Sequence, residues 1–295
     1  MVVVIIGATG QLGHELTKTF ASGASCSANT VVALRRAELD ITDADAVREH
    51  IVGLRPDVVF NAAAYNTVDK AESEIAMAFA VNAFGPRNLA LACRACGAAL
   101  VHVSTNYVFD GRKSEPYEVD DLPAPLSVYG ASKLAGEHLV RLTHERSYII
   151  RTSAVFGIAG RQRATGNFVE SMLRRAQQQS EVRVVNDQTI SPTYAVDLAT
   201  VIKAIVEKGA YGTYHVTNSG ACTWFEFCRT VFDRAGVTTP LHPVSTEEFA
   251  APARRPRYSV LSHASLHALG LPALRHWQEA LAAYFEERQR ECLSE

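Results

Sequence analysis

Tyr129 and Lys133 stand four positions apart in a Y-x-x-x-K pattern within residues 127–137. If this segment is a helix, both side chains project from the same face. The unperturbed pKa of tyrosine is about 10, and a neighbouring lysine ammonium lowers it by favouring the phenolate. The spacing therefore predicts a tyrosine that transfers protons near neutral pH. The alternative is an ordinary amphipathic helix, on which the same spacing is common.

A glycine-rich loop lies near the N-terminus, where Gly7, Gly10 and Gly13 surround Gln11 and Leu12. The loop follows an apolar run and precedes a helix-like segment, a context in which a pyrophosphate reaches the backbone and the helix N–H groups. Its G-x-x-G-x-x-G spacing differs from the plain G-x-G-x-x-G, so a tight strand-to-helix turn is the alternative. Together with the tyrosine–lysine pair, the loop predicts a nicotinamide-dependent oxidoreductase of the short-chain dehydrogenase/reductase type.

The end of the second apolar run bears on the choice of cofactor. An acidic residue at this place holds the ribose 2′-hydroxyl of NAD, whereas an arginine accommodates the 2′-phosphate of NADP. This chain has Arg35 and Arg36 there, beside Glu38. The arginines favour NADP, with NAD and a solvated surface charge pair as the alternatives.

Polar residues follow two further apolar runs, where ligands bind at the carboxyl ends of parallel strands. Ser104 and Thr105 follow one run, and either hydroxyl could bond a substrate carbonyl or cap the local backbone. Asn61 and the alanines at 62–64 follow another, and small side chains there let a cofactor pass close to the backbone. Asn82 lies in a helix-like run, and we expect it to bridge to the active-site strand because a buried amide needs hydrogen-bond partners.

The first half of the chain alternates short β-branched runs with longer amphipathic segments. The runs lie at residues 2–6, 30–34, 58–60, 100–103 and 148–151. This pattern predicts βαβ units around a parallel sheet that is buried on both faces. Thr42, followed by acidic residues, predicts the N-cap of a helix at 46–54, and Arg55-Pro56 ends that helix.

The second half is less regular. It predicts helices at 167–179, 223–235 and 277–290, a strand at 182–185, and surface loops over the proline-rich residues 238–257. The expected fold is α/β, a doubly wound Rossmann-type parallel sheet with a smaller, mixed α/β C-terminal substrate domain. We expect the two domains to interleave, with residues 1–155 and 182–208 binding the dinucleotide and residues 156–181 and 209–295 binding the substrate.

The composition is typical of an enzyme that acts on small molecules. The 295 residues include 29 Lys and Arg against 31 Asp and Glu, so the net charge of -2 gives no reason to expect nucleic acid or an acidic membrane as a partner. No apolar run approaches the roughly 20 residues of a membrane span. Six cysteines without a secretory signal predict reduced thiols in the cytoplasm. The lone Cys93-x-x-Cys96 and the scattered histidines predict no catalytic metal.

Motifs along nearly the whole chain resemble those of the dTDP-4-dehydrorhamnose reductase family of extended short-chain dehydrogenases. The matching segments are residues 7–13, 61–65, 104–111 (S-T-N-Y-V-F-D-G), 129–137 (Y-G-A-S-K-L-A-G-E), 151–157, 187–197 and 255–261. Members of this family reduce a nucleotide-linked 4-keto-6-deoxy sugar with NADPH or NADH. The resemblance implies a nucleotide-sugar substrate here, and a homodimer is the assembly we expect.

The resemblance also implies roles for individual residues. Tyr129 would protonate the C4 oxygen, Lys133 would hold the nicotinamide ribose, and Thr105 would complete the catalytic triad. Cofactor contacts would come from Gly7, Gly10, Gln11, Leu12, Gly13, Arg35, Asp40, Ile41, Ala62, Ala63 and Tyr65. Substrate contacts would come from Thr105, Asn106, the loop after residue 160 with Asn167, and Arg254 and Arg255.

The chain departs from the family pattern at two positions. Asn106 replaces the aspartate of S-T-D-Y-V-F, which removes a carboxylate from the substrate side of the strand. Ala154 replaces the tryptophan of R-T-S-W, which removes an indole that could pack on the sugar. Both departures bear on which sugar is reduced. Some members hold magnesium between glutamates at a dimer contact; Glu15 matches one position, but its partners cannot be placed, so no magnesium is predicted.

Two alternatives remain beside the reductase. An epimerase or dehydratase of the same extended family would keep the tyrosine–lysine pair, although dehydratases usually carry an acidic pair where this chain has Asn106-Tyr107. A regulatory subunit that resembles the beta subunit of methionine adenosyltransferase would bind NADP without catalysis. Turnover of a nucleotide sugar distinguishes the enzyme from the regulator.

Overall fold

A computed structural model describes residues 1–22, 29–161 and 166–294. Cys26 and residues 162–165 of the predicted substrate loop therefore lie outside the described part of the chain. The strands are β1 (Val2–Ile6), β2 (Thr30–Leu34), β3 (Val58–Asn61), β4 (Ala99–Thr105), β5 (Ser147–Thr152), β6 (Val155–Phe156), β7 (Val182–Val185), β8 (Thr189–Ile190), β9 (Thr193–Tyr194), β10 (Gly212–His215), β11 (Asn218–Ser219), β12 (Cys222–Thr223), β13 (Leu241–Val244) and β14 (Leu274–His276).

The helices alternate with the strands in the first half of the chain, as the sequence predicts. They are α1 (Gln11–Ala21), α2 (Ala44–Leu54), α3 (Val68–Ala71), α4 (Ile75–Phe79), α5 (Gly85–Cys96), α6 (Val128–Thr143), α7 (Phe168–Gln178), α8 (Ala195–Lys208), α9 (Trp224–Ala235), α10 (Thr246–Phe249), α11 (Ala264–Ala268) and α12 (Trp277–Ser294). A π-helical turn, Ala80–Phe84, joins α4 to α5.

Six strands form one parallel sheet in the order β10-β5-β4-β3-β1-β2. All five runs predicted from the sequence lie in it, and the predicted doubly wound sheet is confirmed. Both faces are covered. On β1, Val3 and Ile5 pack with α1 and α8, whereas Val4 and Ile6 pack with α2 and α5. Alternate residues of a strand point to opposite faces, so this double burial explains why the strands are apolar throughout.

The second half of the chain has its own apolar core beyond the carboxyl edge of the sheet. This core combines α7, α9 and α12 with β7 and contains Phe227, Trp277 and Tyr284. The strand pairing places two segments with the opposite domain from the one predicted: β7 with the substrate domain and β10 with the dinucleotide domain. β7 pairs with β13 and buries Val182 and Val184 in this second core, whereas β10, which follows α8, joins the edge of the main sheet.

Local capping explains most helix ends. The N-cap of α2 is Asp43 rather than the predicted Thr42, because the Asp43 carboxylate accepts from the N–H groups of Asp45 and Ala46. Asn167 caps α7, and Thr223 forms a capping box with Glu226 at α9. The predicted loops at 238–257 are only partly loops, since the segment also contains β13 and α10.

Candidate active site

The glycine loop closes the amino-terminal side of a cleft at the carboxyl ends of the sheet strands. Gly7 has a φ of 80°, in the left-handed region that favours glycine. At Gly13, a Cβ atom would lie 2.2 Å from the carbonyl oxygen of Gly7. The two glycines thus let α1 begin directly against the end of β1, which leaves the loop backbone open toward the cleft.

The cleft has a volume of about 480 Å³ and the features of a dinucleotide site. Of the predicted cofactor ligands, those that line it are Gly7, Gly10, Gln11, Leu12, Asp40, Ile41, Ala62, Ala63, Tyr65, Tyr129 and Lys133. Two hydroxyl oxygens in its wall, those of Thr152 and Ser153, are buried without a hydrogen-bond partner among the described residues. Glycines that allow close approach and hydroxyls that await a polar partner fit a dinucleotide.

Two predicted cofactor ligands lie outside the lining of this cleft. Gly13 packs against the loop, as described above, and Arg35 is bound to Glu38, with Nη2 3.0 Å from Oε1. Arg36 lines the cleft instead, where its Nε lies 3.2 Å from Oδ2 of Asp40. The predicted ligand Arg35 therefore does not line the cleft and its neighbour Arg36 does, a difference that the sequence pattern of two adjacent arginines could not show.

Tyr129 and Lys133 lie in the first turns of α6, which Ser127 caps by accepting from the N–H of Gly130. The Lys133 ammonium is buried and donates to the carbonyl of Val103 at 2.6 Å. Thr105, at the end of β4, accepts from the N–H of Tyr107 at 3.2 Å and donates to the side-chain oxygen of Asn106 at 3.2 Å, and its hydroxyl lies close enough to the phenol of Tyr129 to lower the pKa of that phenol. The fold therefore brings the predicted triad together at the point where β4 meets α6.

Burial dominates the electrostatics of the triad. Burial raises the pKa of Tyr129 to about 12, the hydrogen bond with Thr105 opposes this, and Tyr107 adds to it. Burial lowers the pKa of Lys133 to about 8, against the opposing effect of Glu137. The sequence predicted that Lys133 lowers the pKa of the tyrosine. In the structure that prediction is wrong. The ammonium of Lys133 is bound to the carbonyl of Val103, and the raised pKa of Tyr129 keeps its phenol protonated at neutral pH.

A second cavity, of about 410 Å³, opens from the same junction toward the second half of the chain. Five residues line both cavities: Thr105, Asn106, Tyr129, Ser153 and Ala154. Phe168 and Trp224 form an aromatic wall, with ring centroids 4.5 Å apart. Three arginines, Arg175, Arg183 and Arg255, supply positive charge. Nothing in the local sequence distinguishes Arg175, Arg183 or Trp224 from surface and core residues, so their place in this cavity could not be predicted.

The arginines predicted to contact the substrate differ in their surroundings. Arg255 forms a two-pronged ion pair with Asp69, in which both distances are 2.9 Å, and lines the second cavity. Arg254 is exposed and lines neither cavity. Arg183 reaches its nearest acidic partner, Glu248, only at 4.0 Å. Arg183 is therefore less neutralised than Arg255.

The two asparagines predicted to bind substrate also separate. Asn106 lines both cavities, and its amide donates to the hydroxyl of Ser259 at 2.7 Å. Asn167 is buried, caps α7, and donates to Gln11 at 3.0 Å and to the carbonyl of Gly157 at 2.9 Å. Asn167 lines neither cavity and instead joins the glycine loop to the second half of the chain.

Asn82 joins the segment after β3, which contains Tyr65, to the catalytic helix α6, and not to the active-site strand as predicted. It lies in the π-helical turn, accepts from the N–H of Tyr65 at 2.9 Å, and donates to the carbonyl of Tyr65 at 2.9 Å and to Ser132 at 3.0 Å. Ser132 lies between Tyr129 and Lys133 on α6. Asn82 thus holds the segment after β3 against the catalytic helix. π-Helical turns are frequent at functional sites.

We expect Asn82→Ala to lower the free energy of unfolding by roughly 1–3 kcal/mol, because it leaves the half-buried N–H and carbonyl of Tyr65 without their partner and removes one bond to the Ser132 hydroxyl. Urea denaturation measures this loss. Asn186, which is exposed and accepts a single bond from Thr223, provides the matched control. Equal losses for Asn82→Ala and Asn186→Ala would contradict the bridging role.

Among the residues that the structure describes, no group of three or more His, Cys, Asp or Glu side chains could hold a metal ion. Glu15 is buried in α1, with its carboxylate 3.4 Å from the ammonium of Lys18. Within the described ranges, no helix combines the length and apolar character needed to cross a membrane.

Known proteins resemble this chain over almost its full length. The family model described as RmlD substrate binding domain matches residues 1–290. The spore coat polysaccharide biosynthesis protein SpsK of Bacillus subtilis (strain 168) is 42% identical over 290 residues, covering 98% of this chain and 99% of that protein. A dTDP-4-dehydrorhamnose reductase of Mycobacterium tuberculosis (strain ATCC 25618 / H37Rv) is 44% identical over 287 residues, covering 95% and 91%.

A solved structure shares the fold as well. It is a dTDP-4-dehydrorhamnose reductase from Bacillus anthracis str. Ames in complex with NADP, 40% identical in sequence, with a TM-score of 0.90. The match covers 97% of this chain and 99% of that one. The cleft and the second cavity described above therefore lie in a fold that binds NADP in that protein.

Proposed function

Because this chain belongs to the RmlD substrate binding domain family, we propose that it catalyses the NADPH-dependent reduction of the C4 ketone of a nucleotide-activated 6-deoxy sugar. The first candidate substrate is dTDP-4-dehydrorhamnose, the sugar in the names of its relatives. The observation that carries the proposal is the junction of the two cavities. Thr105 and Tyr129 line both, so a proton donor stands where a cofactor and a sugar would meet.

The residues at the junction divide the chemistry among them. When bound, NADPH supplies a hydride to the carbonyl carbon. Tyr129 donates its phenolic proton to the carbonyl oxygen, since its raised pKa keeps it protonated at neutral pH. Thr105 then turns its hydroxyl from Asn106 to the resulting phenolate and stabilises it by donating a hydrogen bond, and the charge of Lys133 attracts the anionic cofactor.

The second cavity suits the nucleotide part of the substrate. Phe168 and Trp224 offer an apolar, aromatic wall for a base. We assign the diphosphate contacts to Arg175 and Arg183, which line this cavity. Arg254 is excluded because it is exposed outside both cavities. Arg183 is favoured over Arg255 because it has no carboxylate closer than 4.0 Å among the described residues, and a charged donor that is not already paired binds an anion more strongly. Arg255, already paired with Asp69, holds the cavity wall in place.

Arg36 supports NADP as the cofactor. It lines the cleft at the end of β2, beside Asp40, at the place where a 2′-phosphate is bound in folds of this type. Its exposed guanidinium can turn from Asp40 to the phosphate at little cost, because exposed ion pairs contribute at most about 1 kcal/mol.

Turnover tests the proposal directly. Purified protein with dTDP-4-dehydrorhamnose should consume NADPH, as followed by the loss of its absorbance, and form a C4 alcohol that mass spectrometry identifies. UDP- and GDP-linked 4-keto sugars, and NADH in place of NADPH, define the nucleotide and the cofactor. Binding of NADPH without turnover of any 4-keto sugar would overturn the proposal and favour the regulatory subunit. Exchange at a sugar carbon without net NADPH consumption would favour an epimerase.

We expect the affinity for NADPH to fall as the pH rises above about 8. Burial lowers the pKa of Lys133 to about 8, so its positive charge is present below that pH and is lost above it. Because kcat/KM reports the free enzyme, its value for NADPH should fall along the same limb. Lys133→Met should remove that limb from the profile. A profile that stays flat to pH 10 in the unaltered protein would contradict the assignment.

Two further expectations stay predictions. The first is a cytoplasmic location, with which the free thiols of the described cysteines agree. The second is a homodimer, which sedimentation equilibrium of the purified chain would detect.

A further inference from the structure

A buried carboxylate lies one helical turn beyond Lys133. Glu137 on α6 is fully buried, and its Oε1 accepts from the hydroxyl of Ser104 at 2.6 Å. The guanidinium of Arg151, itself 2% exposed, donates from Nε at 3.0 Å and from Nη2 at 2.8 Å. From the solvent side, Arg141 reaches the same carboxylate at 3.4 Å. The contacts of this carboxylate thus come from β4, β5 and α6, which also carry residues of the active site.

The contacts connect the three elements that line the cavity junction. Ser104 immediately precedes Thr105 at the end of β4. Arg151 is followed by Thr152, the last residue of β5, and by Ser153, and the unpartnered hydroxyls of these two residues line the cleft assigned to the cofactor. Glu137 itself lies on the helix that carries Tyr129 and Lys133. One carboxylate therefore joins all three elements within about a turn of the reacting groups.

Two parallel links attach α6 to β4. The ammonium of Lys133 donates to the carbonyl of Val103, and Ser104, the next residue on the strand, donates to Glu137. Residues four apart on a helix lie on one face, so Lys133 and Glu137 hold consecutive strand residues. Both links hold the catalytic helix against the strand that ends at Thr105.

The far side of Arg151 is also fixed. Its Nη1 donates to the carbonyl of Val119 at 3.2 Å and lies 3.4 Å from Nε2 of His215. Burial and Arg151 lower the pKa of His215 to about 3, so the ring is neutral. Its Nδ1 lies 3.0 Å from the carbonyl of Tyr117 and must donate there, which leaves Nε2 to accept from Arg151. The guanidinium is thus held from both ends.

We propose that Glu137 is a positioning residue for the reductase reaction, which sets the catalytic helix against Thr105 through Ser104 and Arg151 and supplies the negative charge beside Lys133. This inference rests on the proposed function. An apolar pair of similar volume would fill the same space without a desolvated ion pair, so packing alone does not require this arrangement. The charged and titratable groups that act on Lys133 from the elements around it are Glu137 on α6 and the neutral His102 on β4.

Two variants separate alignment from charge. Ser104→Ala removes one bond to Glu137 and keeps the ion pair, so we expect kcat to fall about tenfold while KM changes much less, because misalignment acts on the transition state. Glu137→Gln also removes the negative charge, and we expect kcat to fall about 100-fold. Arg141→Gln, which removes the solvent-side contact with Glu137 and a bond to Thr213 on β10, is the control and should stay within twofold of the unaltered enzyme.

The pH dependence of NADPH binding, followed by cofactor fluorescence, requires no sugar substrate. The midpoint should lie near the pKa of Lys133 in the unaltered protein and in Ser104→Ala. In Glu137→Gln it should fall by roughly half a pH unit or more, because Glu137 is the group that raises this pKa. A role in packing alone would leave the midpoint unchanged.

Each outcome decides the proposal. Wild-type kcat in Ser104→Ala, or an unshifted midpoint in folded Glu137→Gln, would overturn it. If Glu137→Gln does not fold by circular dichroism, kcat and KM of Ser104→Ala against Arg141→Gln decide alone. If the unaltered protein turns over no nucleotide sugar, the proposed function fails, and the binding midpoints still test the action of Glu137 on Lys133.

Discussion

Replacing Tyr129 with phenylalanine is expected to reduce kcat for the nucleotide sugar by roughly 10²- to 10⁴-fold, the contribution typical of a positioned general acid. Phenylalanine keeps the ring, and with it the edge-to-face contact with Tyr107 at a centroid distance of 6.0 Å. Only the hydroxyl beside Thr105 is lost. The Kd for NADPH should therefore change little, and the loss should appear in kcat. Steady-state kinetics with fluorescence titration of NADPH separate the two.

The chain provides a matched control for this substitution. Tyr211 is 41% exposed and lies beside Tyr148 at the amino end of β5, away from both cavities. Tyr211→Phe should retain nearly full activity. If Tyr129→Phe also kept more than about a tenth of wild-type kcat, the proton would have to come from another group. Tyr107, the other phenol that lines the second cavity, would then be the residue to replace.

The sheet could be predicted from the sequence because its strands are short, β-branched and separated by helical periodicity. The pairing of β7 with β13 could not be predicted in this way. Its partner β13 contains Pro243 within a proline-rich segment, a pattern that favours a loop. Proline is tolerated in a strand at the edge of a sheet, and β13 pairs only with β7. The tertiary contact, rather than local propensity, makes this segment a strand.

The site shows the same limit at the level of side chains. Tyr129, Lys133 and Thr105 carry their signal in spacing and in position at the end of a strand, and the fold brings them together. Glu137 and Arg151 carry no such signal, because they are 14 residues apart and meet only when α6 packs on the sheet. The residues that we assign to the cofactor follow local motifs, whereas the residues that we propose to align the site are brought together by contacts between elements.

The second large effect concerns the glycine loop. We expect Gly13→Ala to weaken NADPH binding at least about 100-fold, because the new Cβ would lie 2.2 Å from the carbonyl oxygen of Gly7 and 2.9 Å from the Cα of Ala8. Both neighbours are backbone atoms, so no side-chain rotation relieves the clash. α1 must then move away from the loop, which would open the site that we assign to the cofactor pyrophosphate at the loop and the start of the helix.

Gly53 provides the control for this substitution, because a glycine-to-alanine change there causes no clash. It lies in α2, where an added Cβ would meet no atom within 4 Å. Gly53→Ala should therefore leave NADPH binding unchanged and raise the free energy of unfolding by up to about 1 kcal/mol, since alanine favours a helix over glycine. Gly13→Ala should lower the free energy of unfolding by roughly 1–3 kcal/mol through overpacking. Calorimetry of NADPH binding and urea denaturation of both variants measure these opposite signs. Because Gly13 touches the loop but does not line the cleft, unaltered NADPH affinity in folded Gly13→Ala would show that the loop geometry is not what holds the cofactor.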